Sequence, residues 1–421
     1  MNAIKFIHCA DLHIDTPFKG IGSIDQELKD ILYNSTFKSF QNIVQIAIDN
    51  EVHAVIIAGD IYDGADKSLK AQLKFRDELL RLSEAGIQSF IVAGNHDPLD
   101  GWAASIEWPD LVHLFSGKKV EKIPLVIDGE TIADIYGISF PTRDVTENLA
   151  LQFKRENKDI PSIAILHTNI GENTGHKSYA PATIADLKSR GFDYWALGHV
   201  HTRKVLSKRD PTILYPGNTQ ARSAREPGSK GCSLVTLEKD GACEITHFPT
   251  DVVRYHKNVI DLSGIETLDD VIDKMKTECE DEAKTLEGRH LIIRLQLMGR
   301  CAVNQELRKG NSITDILESI REHFFGREQI IFLEKIQLAT AGNYDLESLT
   351  GGNDFIADII SLYGEMDIKD ASSLEEIKEM LKSLTVNWAG SKHMDEFSDE
   401  DIVSFAAEAR DWTLDQIVGE D

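Results

Sequence analysis

Short apolar runs alternate with amphipathic stretches over the first 250 residues. The runs are Ile4–His8, Ala54–Ala58, Phe90–Ala93, Ile132–Tyr136, Ile163–Leu166 and Tyr194–Leu197, with further β-rich stretches at 212–216 and 232–247. Between the early runs, 35–50 places Phe37, Phe40, Val44, Ala47 and Ile48 at helical spacing. Residues 67–85 do the same with Leu69, Leu73, Phe75, Leu79, Leu80 and Leu82. Strands alternating with helices predict a layered α/β domain. The polar stretch 218–231 reads as a loop between two strands. From 251 the pattern predicts strand (253–261), helix (267–284), strand (289–297), helix (312–324) and strand (328–337), a small α+β module. Beyond it, Phe355, Ile356, Ile359, Ile360 and Leu362 predict acidic helices, broken at Gly351-Gly352 and around Trp388-Ala389-Gly390. The expected domains are therefore 1–250, 251–340 and 341–421.

Charge and cysteine content narrow the function classes. The net charge of −25 disfavours a general nucleic-acid coat protein, which needs a basic footprint. Residues 341–421 alone hold 20 acidic and 5 basic residues, so the first 340 carry only −10. A local DNA groove is compatible with that distribution, and bound cations would offset part of it. The five cysteines (9, 232, 243, 279 and 301) are widely spaced, without a Cys-x-x-Cys pair. They predict reduced, packed thiols rather than a disulfide framework or structural zinc. No stretch reaches the roughly 20 apolar residues of a membrane span, and the N-terminus reads as a first core strand rather than a signal peptide. A soluble, cytoplasmic protein is expected.

The chemistry lies where the runs end. Asp11-Leu12-His13 follows the first run, Gly59-Asp60 the second and Gly94-Asn95-His96-Asp97 the third. His167 ends the run at 163–166, and Gly198-His199-Val200-His201 follows Tyr194–Leu197. Ligand sites of α/β sheets form at the carboxyl ends of strands, so the expectation is five segments converging on one edge of one sheet. Residues two apart in an extended chain point the same way, which pairs Asp11 with His13 and His199 with His201. Four imidazoles, two carboxylates (Asp11, Asp60) and the Asn95 amide suit Mn²⁺, Fe²⁺ or Zn²⁺ better than an all-oxygen Mg²⁺ or Ca²⁺ site. Seven ligands are too many for one ion. Two ions sharing a carboxylate would clamp a phosphoryl group, with a hydroxide between them as nucleophile.

The series Asp-x-His, Gly-Asp-x-x-Asp, Gly-Asn-His-Asp, His and Gly-His-x-His, over residues 6–201, resembles the calcineurin-like metallophosphoesterases. Among these the chain looks most like the SbcD-type DNA repair exonucleases. Tyr136-Gly137-Ile138-Ser139-Phe140, the turn Tyr215-Pro216-Gly217-Asn218-Thr219-Gln220 and the module after 251 strengthen that likeness. The resemblance implies a layered β-sandwich flanked by helices, with an α+β capping module and a helical C-terminal region. It places Asp11, His13, Asp60 and His201 on one metal, and Asp60, Asn95, His167 and His199 on the other. Asp60 bridges, His96 is the general acid and Asp97 supports it. Histidine suits that role because it gives up a proton near pH 7. The resemblance also implies Mn²⁺, DNA as substrate and an SMC-like coiled-coil ATPase partner bound through C-terminal helices; a homodimer stays open. At Asp63 the chain departs from the eukaryotic and archaeal relatives, which carry a substrate-contacting histidine there.

The leading expectation is a two-metal phosphodiesterase cutting DNA, as an exonuclease with endonuclease activity left open. The alternatives are a small-molecule or phosphoprotein phosphoesterase with the same site, and a metal-bound scaffold regulating an ATPase. Elsewhere, His8 and His53 read as packed histidines and Asp15 as a turn residue. Asp63 reads as a support for a ligand histidine or a cap. Arg203, Lys204, Lys208, Arg209, Arg222, Arg225 and Lys230 read as a solvated loop or a phosphate-contacting rim. Trp102 and Trp108 are candidates for stacking on a base or for packing beneath a loop.

Overall fold

The computed structural model describes residues 3–16, 26–64, 68–101, 106–171 and 179–343, with single positions (356, 358, 374, 375, 377, 379, 402, 409, 412–415 and 417) beyond them. The expected breaks in the acidic tail, most of its apolar positions and Trp102 lie outside the described residues. The chain divides into two compact units, residues 1–256 with 286–292, and 257–285 with 293–421. No described helix is long and apolar enough to cross a membrane.

The first unit contains strands β1 (Ile4–Cys9), β2 (Ala54–Ala58), β3 (Gln88–Val92), β4 (Val112–Leu114), β5 (Glu121–Ile127), β6 (Glu130–Gly137), β7 (Ser162–His167), β8 (Tyr194–Gly198), β9 (Lys204–Lys208), β10 (Thr212–Tyr215), β11 (Gly231–Leu237) and β12 (Cys243–Pro249). Its helices are α1 (Gln26–Asp49), α2 (Leu69–Glu84) and α3 (Ile184–Ser189). The strands form two six-stranded mixed sheets, ordered β12-β11-β1-β2-β3-β4 and β5-β6-β7-β8-β10-β9.

Alternation along the strands explains the layers. Phe6, Ala54, Ile56, Phe90 and Val92 of the first sheet meet Ile163, Ile165, Tyr194, Ala196 and Leu214 of the second in one buried cluster. The intervening residues Ile7, Val55, Ile57 and Ile91 turn outward onto Phe40, Ile43 and Val44 of α1 and Phe75 and Leu79 of α2. On the far side of the second sheet, Ala164, Leu166, Trp195 and Leu197 pack with Leu149, Phe153 and Leu187. The result is a sandwich of two sheets between helical layers. Ser68 starts α2 by accepting the Ala71 N–H at 3.1 Å, which satisfies one of the orphan donors of the first turn.

One expectation needs correction. The polar motifs converge on one edge, but of two stacked sheets rather than one: β1, β2 and β3 belong to the first and β7 and β8 to the second. Central strands are buried on both faces in either arrangement, so their apolar runs cannot tell one sheet from two. Three strands carried no readable run, namely β4, β5 and β9, and each is an edge strand. Edges are short, charged or proline-bearing because nothing pairs their outer side, and β5 contains Pro124.

The second unit rests on a three-stranded sheet ordered β13 (Val253–Asp261), β14 (His290–Cys301), β15 (Ile331–Gly342). Helices α4 (Leu268–Lys284), α5 (Asn304–Arg308) and α6 (Ser312–Phe324) accompany it. Thr267 caps α4 by accepting the Asp270 N–H at 3.2 Å. A residue of the acidic tail is seated here: the buried Asp415 accepts from Asn304 Nδ2 and from the Gly342 N–H, both at 2.8 Å.

Candidate metal centre

The segments that leave the strands are cross-tied by their main chains. The Asp11 N–H donates to Gly59 O at 3.0 Å and the His13 N–H to Asp60 O at 3.1 Å. Both Asp11 oxygens receive the His199 N–H at 3.1 Å, which ties the first sheet's loop to the second's. Asp11, His13, Asp60 and His199 all have positive φ, at 52°, 45°, 53° and 100°. Such conformations cost about 1–3 kcal/mol each and persist where surrounding structure imposes them, chiefly at functional sites. Two glycines make the approach possible. A Cβ on Gly59 (φ 94°) would strike the His167 ring, and one on Gly94 would strike the Asp60 carboxylate.

The seven residues singled out by the motifs come together in two groups. Asp11, His13 and His201 offer donor atoms within 4.8 Å of one another, and so do Asp60, His167 and His199. Asn95 Oδ1 joins the second group, 3.0 Å from His167 Nε2 and 3.1 Å from His199 Nδ1. Asp11, His13, Asp60, Asn95 and His167 are at most 3% exposed. Burial without counter-charge is costly, and it shows in the acidities. Asp11 is pushed up by burial and by neighbouring Asp60. Burial works the same way on Asp60, but His167, His13 and His96 outweigh it and hold Asp60 down to about 2. His13 falls to about 3 through burial and the positive Arg222.

Ring orientation tests whether a cation fits. His201 Nδ1 lies 2.6 Å from Glu226 Oε1, so that nitrogen carries the proton and Nε2 the lone pair. His13 Nδ1 faces the Asp63 carboxylate at 3.4 Å, which favours the same tautomer. The two Nε2 atoms are 3.1 Å apart, and with both Nδ1 atoms protonated they would meet lone pair against lone pair. A shared cation relieves that repulsion. In the other group, His167 Nδ1 is 2.9 Å from Ala58 O, turning its Nε2 toward Asn95 and, at 3.4 Å, toward Asp60 Oδ2. Imidazole, carboxylate and amide donors of this kind fit divalent transition-metal ions.

His96 stands beside these groups. Its N–H donates to Asp60 Oδ1 at 2.9 Å, and its ring Nδ1 is 2.9 Å from Asp63 Oδ1. Burial lowers His96, but the hydrogen bond to Asp63 and the charges of Asp60 and Asp63 outweigh it, so its pKa is raised. Asp63 is held far below the usual carboxylate range: burial opposes this, and His13, His96 and Arg222 overcome it. Asp97, the residue after His96, is buried. Its carboxylate accepts from the Ile61 N–H and the Gly94 N–H, both at 2.8 Å, bracing the Asp60 and Asn95 loops, while Asp63 holds the His96 ring.

Two residues of the 218–231 loop also enter, and sequence reasoning gave them no such role. Glu226 pairs with His201, accepts the Arg222 N–H at 2.8 Å and is drawn down to about 2, mainly by His201, against its burial. Arg222 Nη1 reaches Asp63 Oδ1 at 3.1 Å. One signal was available: Glu226 is the single acid in a loop of three cations.

The remaining candidates lie apart from the donor groups. His8 is packed, with Nδ1 3.0 Å from the Tyr194 hydroxyl, and His53 accepts the Lys5 N–H at 3.0 Å. Asp15 sits at φ 70° and accepts from Tyr33 at 2.9 Å. Trp108 is partly exposed and meets Phe75 edge-on at 6.1 Å. Lys230 is buried with Nζ 3.4 Å from His201 O, whereas Arg203, Lys204, Lys208, Arg209 and Arg225 are exposed. All five cysteines are free, and only Cys243 is not fully buried.

Two stacked mixed sheets with this donor set at their carboxyl edge define a metal-dependent phosphoesterase, and the chain belongs to the calcineurin-like metallophosphoesterases. Residues 4–203 match the calcineurin-like phosphoesterase family, and 255–341 match the middle domain of metallophosphoesterase YhaO. The chain is 32% identical over 411 residues to YhaO, an uncharacterized metallophosphoesterase of Bacillus subtilis, covering 97% of this chain and 96% of that one. It is 30% identical over 251 residues to the DNA double-strand break repair protein Mre11 of Sulfurisphaera tokodaii, covering 57% and 61% of the two chains. With Mre11 of Sulfolobus acidocaldarius it shares 23% identity over 397 residues, covering 90% and 98%.

Proposed function

We propose that this chain hydrolyses DNA phosphodiester bonds with two divalent ions, Mn²⁺ above all, acting as an exonuclease. The observation that carries the metal-dependent part is the pair of donor groups, Asp11 with His13 and His201, whose Nε2 atoms are 3.1 Å apart, and Asp60 with His167 and His199. Asp11, His13, Asp60 and His201 would hold one ion, and Asp60, Asn95, His167 and His199 the other. When bound, such ions lower the pKa of water toward neutrality and screen the phosphoryl charge. The protein's own part is proton supply and alignment. Asp63 takes the Nδ1 side of His96, leaving Nε2 to give a proton to the departing oxygen. Against the burial of His96, the hydrogen bond to Asp63 and the nearby carboxylates raise its pKa, which favours the protonated ring.

DNA as the substrate is supported by the Mre11 relatives and by the rim of the site. Arg203 and Lys204, the second and third residues after His201, are exposed, and among the described residues neither has a carboxylate partner within 4 Å. Phosphate contacts of this kind position a strand without reading its bases. An SMC-like coiled-coil ATPase is the protein partner this reading calls for.

The test is hydrolysis by purified protein with Mn²⁺ of labelled single- and double-stranded DNA beside a chromogenic phosphodiester. Cleavage of DNA and diester, both lost in His96→Ala, is the expected result. Turnover of the diester with none of DNA would replace this reading with a small-molecule phosphoesterase. No turnover of either would leave a metal-bound scaffold.

A further inference from the structure

We infer that Arg222 and Glu226 form a brace through which the 218–231 loop sets one metal group and the acid histidine together. This rests on reading Asp11, His13 and His201 as the ligands of one ion. The loop then does more than border the substrate: it is part of the machinery.

Glu226 is the hub. One oxygen, Oε1, lies 2.6 Å from His201 Nδ1. The other accepts the Arg222 N–H at 2.8 Å and Asn218 Nδ2 at 3.1 Å. Asn218 also donates to Gln220 O at 2.9 Å, so the carboxylate is pinned to its own loop before it meets the histidine. A carboxylate fixed in this way sets both tautomer and tilt of a metal-binding imidazole. His201 itself lies outside any strand, between β8 and β9, with its carbonyl accepting the Asn218 N–H at 3.2 Å.

Arg222 carries the brace to the other histidine. Its Nη1 donates to Asp63 Oδ1 at 3.1 Å, the same oxygen that lies 2.9 Å from His96 Nδ1 and 3.4 Å from His13 Nδ1. Its Nη2 lies 3.9 Å from Glu226 Oε1. A single arginine thus spans the carboxylate behind His96 and the carboxylate behind His201. Without it Asp63 keeps two ring partners but loses its tie to the loop, and three acids (Asp11, Asp63, Glu226) lose a neighbouring cation. Arg222 is a positioning residue: it acts on the reaction through Asp63.

The experiment separates the two arms and uses the full chain. Mn²⁺ alone is titrated into metal-free wild type, Glu226→Ala and the nearly isosteric Glu226→Gln, with binding read by calorimetry. Glu226→Ala should weaken one ion by about 10–100-fold and leave the other within error, as expected for an outer partner of a ligand. Glu226→Gln should fall between, and it is the variant to read should Glu226→Ala not fold. Unchanged affinity for both ions in a folded variant overturns the Glu226 arm. Arg222→Ala should keep both ions, lower kcat on a chromogenic phosphodiester by about 10-fold or more with KM little changed, and recover in part as Arg222→Lys. A raised KM with kcat retained would mean that Arg222 grips the substrate instead, and overturns its arm. Wild type that binds no second ion would fail the two-metal reading itself, an outcome distinct from either.

Discussion

His167 and His201 bring the same ring to the same cluster, yet different parts of the fold hold them. His167 closes a central strand, is fully buried and is locked by a main-chain carbonyl, Ala58 O at 2.9 Å. Its neighbours Gly59 and Gly94 have no side chain because the ring and the Asp60 carboxylate occupy that space. His201 follows its strand, is partly exposed and is locked by the side chain of Glu226, which belongs to a polar loop. His13, though buried, sides with His201, since its outer nitrogen faces the Asp63 side chain. One half of the site is therefore set by the sandwich itself. The other half is set by side chains that substitution can retune without rebuilding the core.

The largest effect that sharpens this contrast comes from His96→Ala, which removes a group hung on the side-chain-locked half. Turnover of a phosphodiester should fall by about 10²–10⁴-fold, while Mn²⁺ binding stays at the wild-type level. Normal turnover would remove His96 as the acid. Asp97→Ala strikes the loops beneath both halves. It strips acceptors from the buried Ile61 and Gly94 N–H groups, each worth about 1–3 kcal/mol when left unsatisfied. Denaturant unfolding should show that loss, and a change under about 1 kcal/mol would mean other groups take over those donors.

Gly94→Ala strikes the main-chain-locked half most directly, through the His167 ring, and reaches the other half only through the shared Asp60. The new methyl must displace Asp60 or the His167 ring, at about 1–3 kcal/mol. Calorimetry should show the Asp60, Asn95, His167 and His199 group weakened more than the Asp11, His13 and His201 group. Equal weakening would dissolve the distinction between the halves.

The smallest effect is a drift of stability with pH in metal-free protein. Burial pushes His8 and His13 down to about 3, so between about 6.5 and 3 the unfolded chain binds protons that the folded one refuses. Stability should decline as pH falls through that window. Asp11, pushed up by burial, works the other way and offsets part of the slope, while His96, whose pKa is raised, does so only above about 6.5. A thermal midpoint in chelator that is flat or rising from pH 7 to pH 5 would contradict these assignments.

What the chain reveals beforehand follows the same division. β1, β2, β3, β7 and β8 are legible because both faces are largely buried and most of their residues are apolar, and the residues that end them carry the motif. That they lie in two sheets is hidden, since Phe6 and Ile7 look alike whether they face a helix or a second sheet. Edge strands such as β9, Lys204–Lys208, offer no apolar run to read. Asp63 could be flagged by its spacing from Asp60. Glu226 shows only as the single acid of a cationic loop and Arg222 only as one of its cations, because a polar loop reveals its contacts only after the chain has folded back onto His201.

Equilibrium titration of metal-free protein with Mn²⁺ tests the central claim most directly, with wild type and Asp60→Asn run side by side. Two ions per wild-type chain, and weakened binding of both in Asp60→Asn, is the predicted result. One ion or none in wild type, or two bound with unchanged affinity after the substitution, would contradict a two-ion centre built around Asp60.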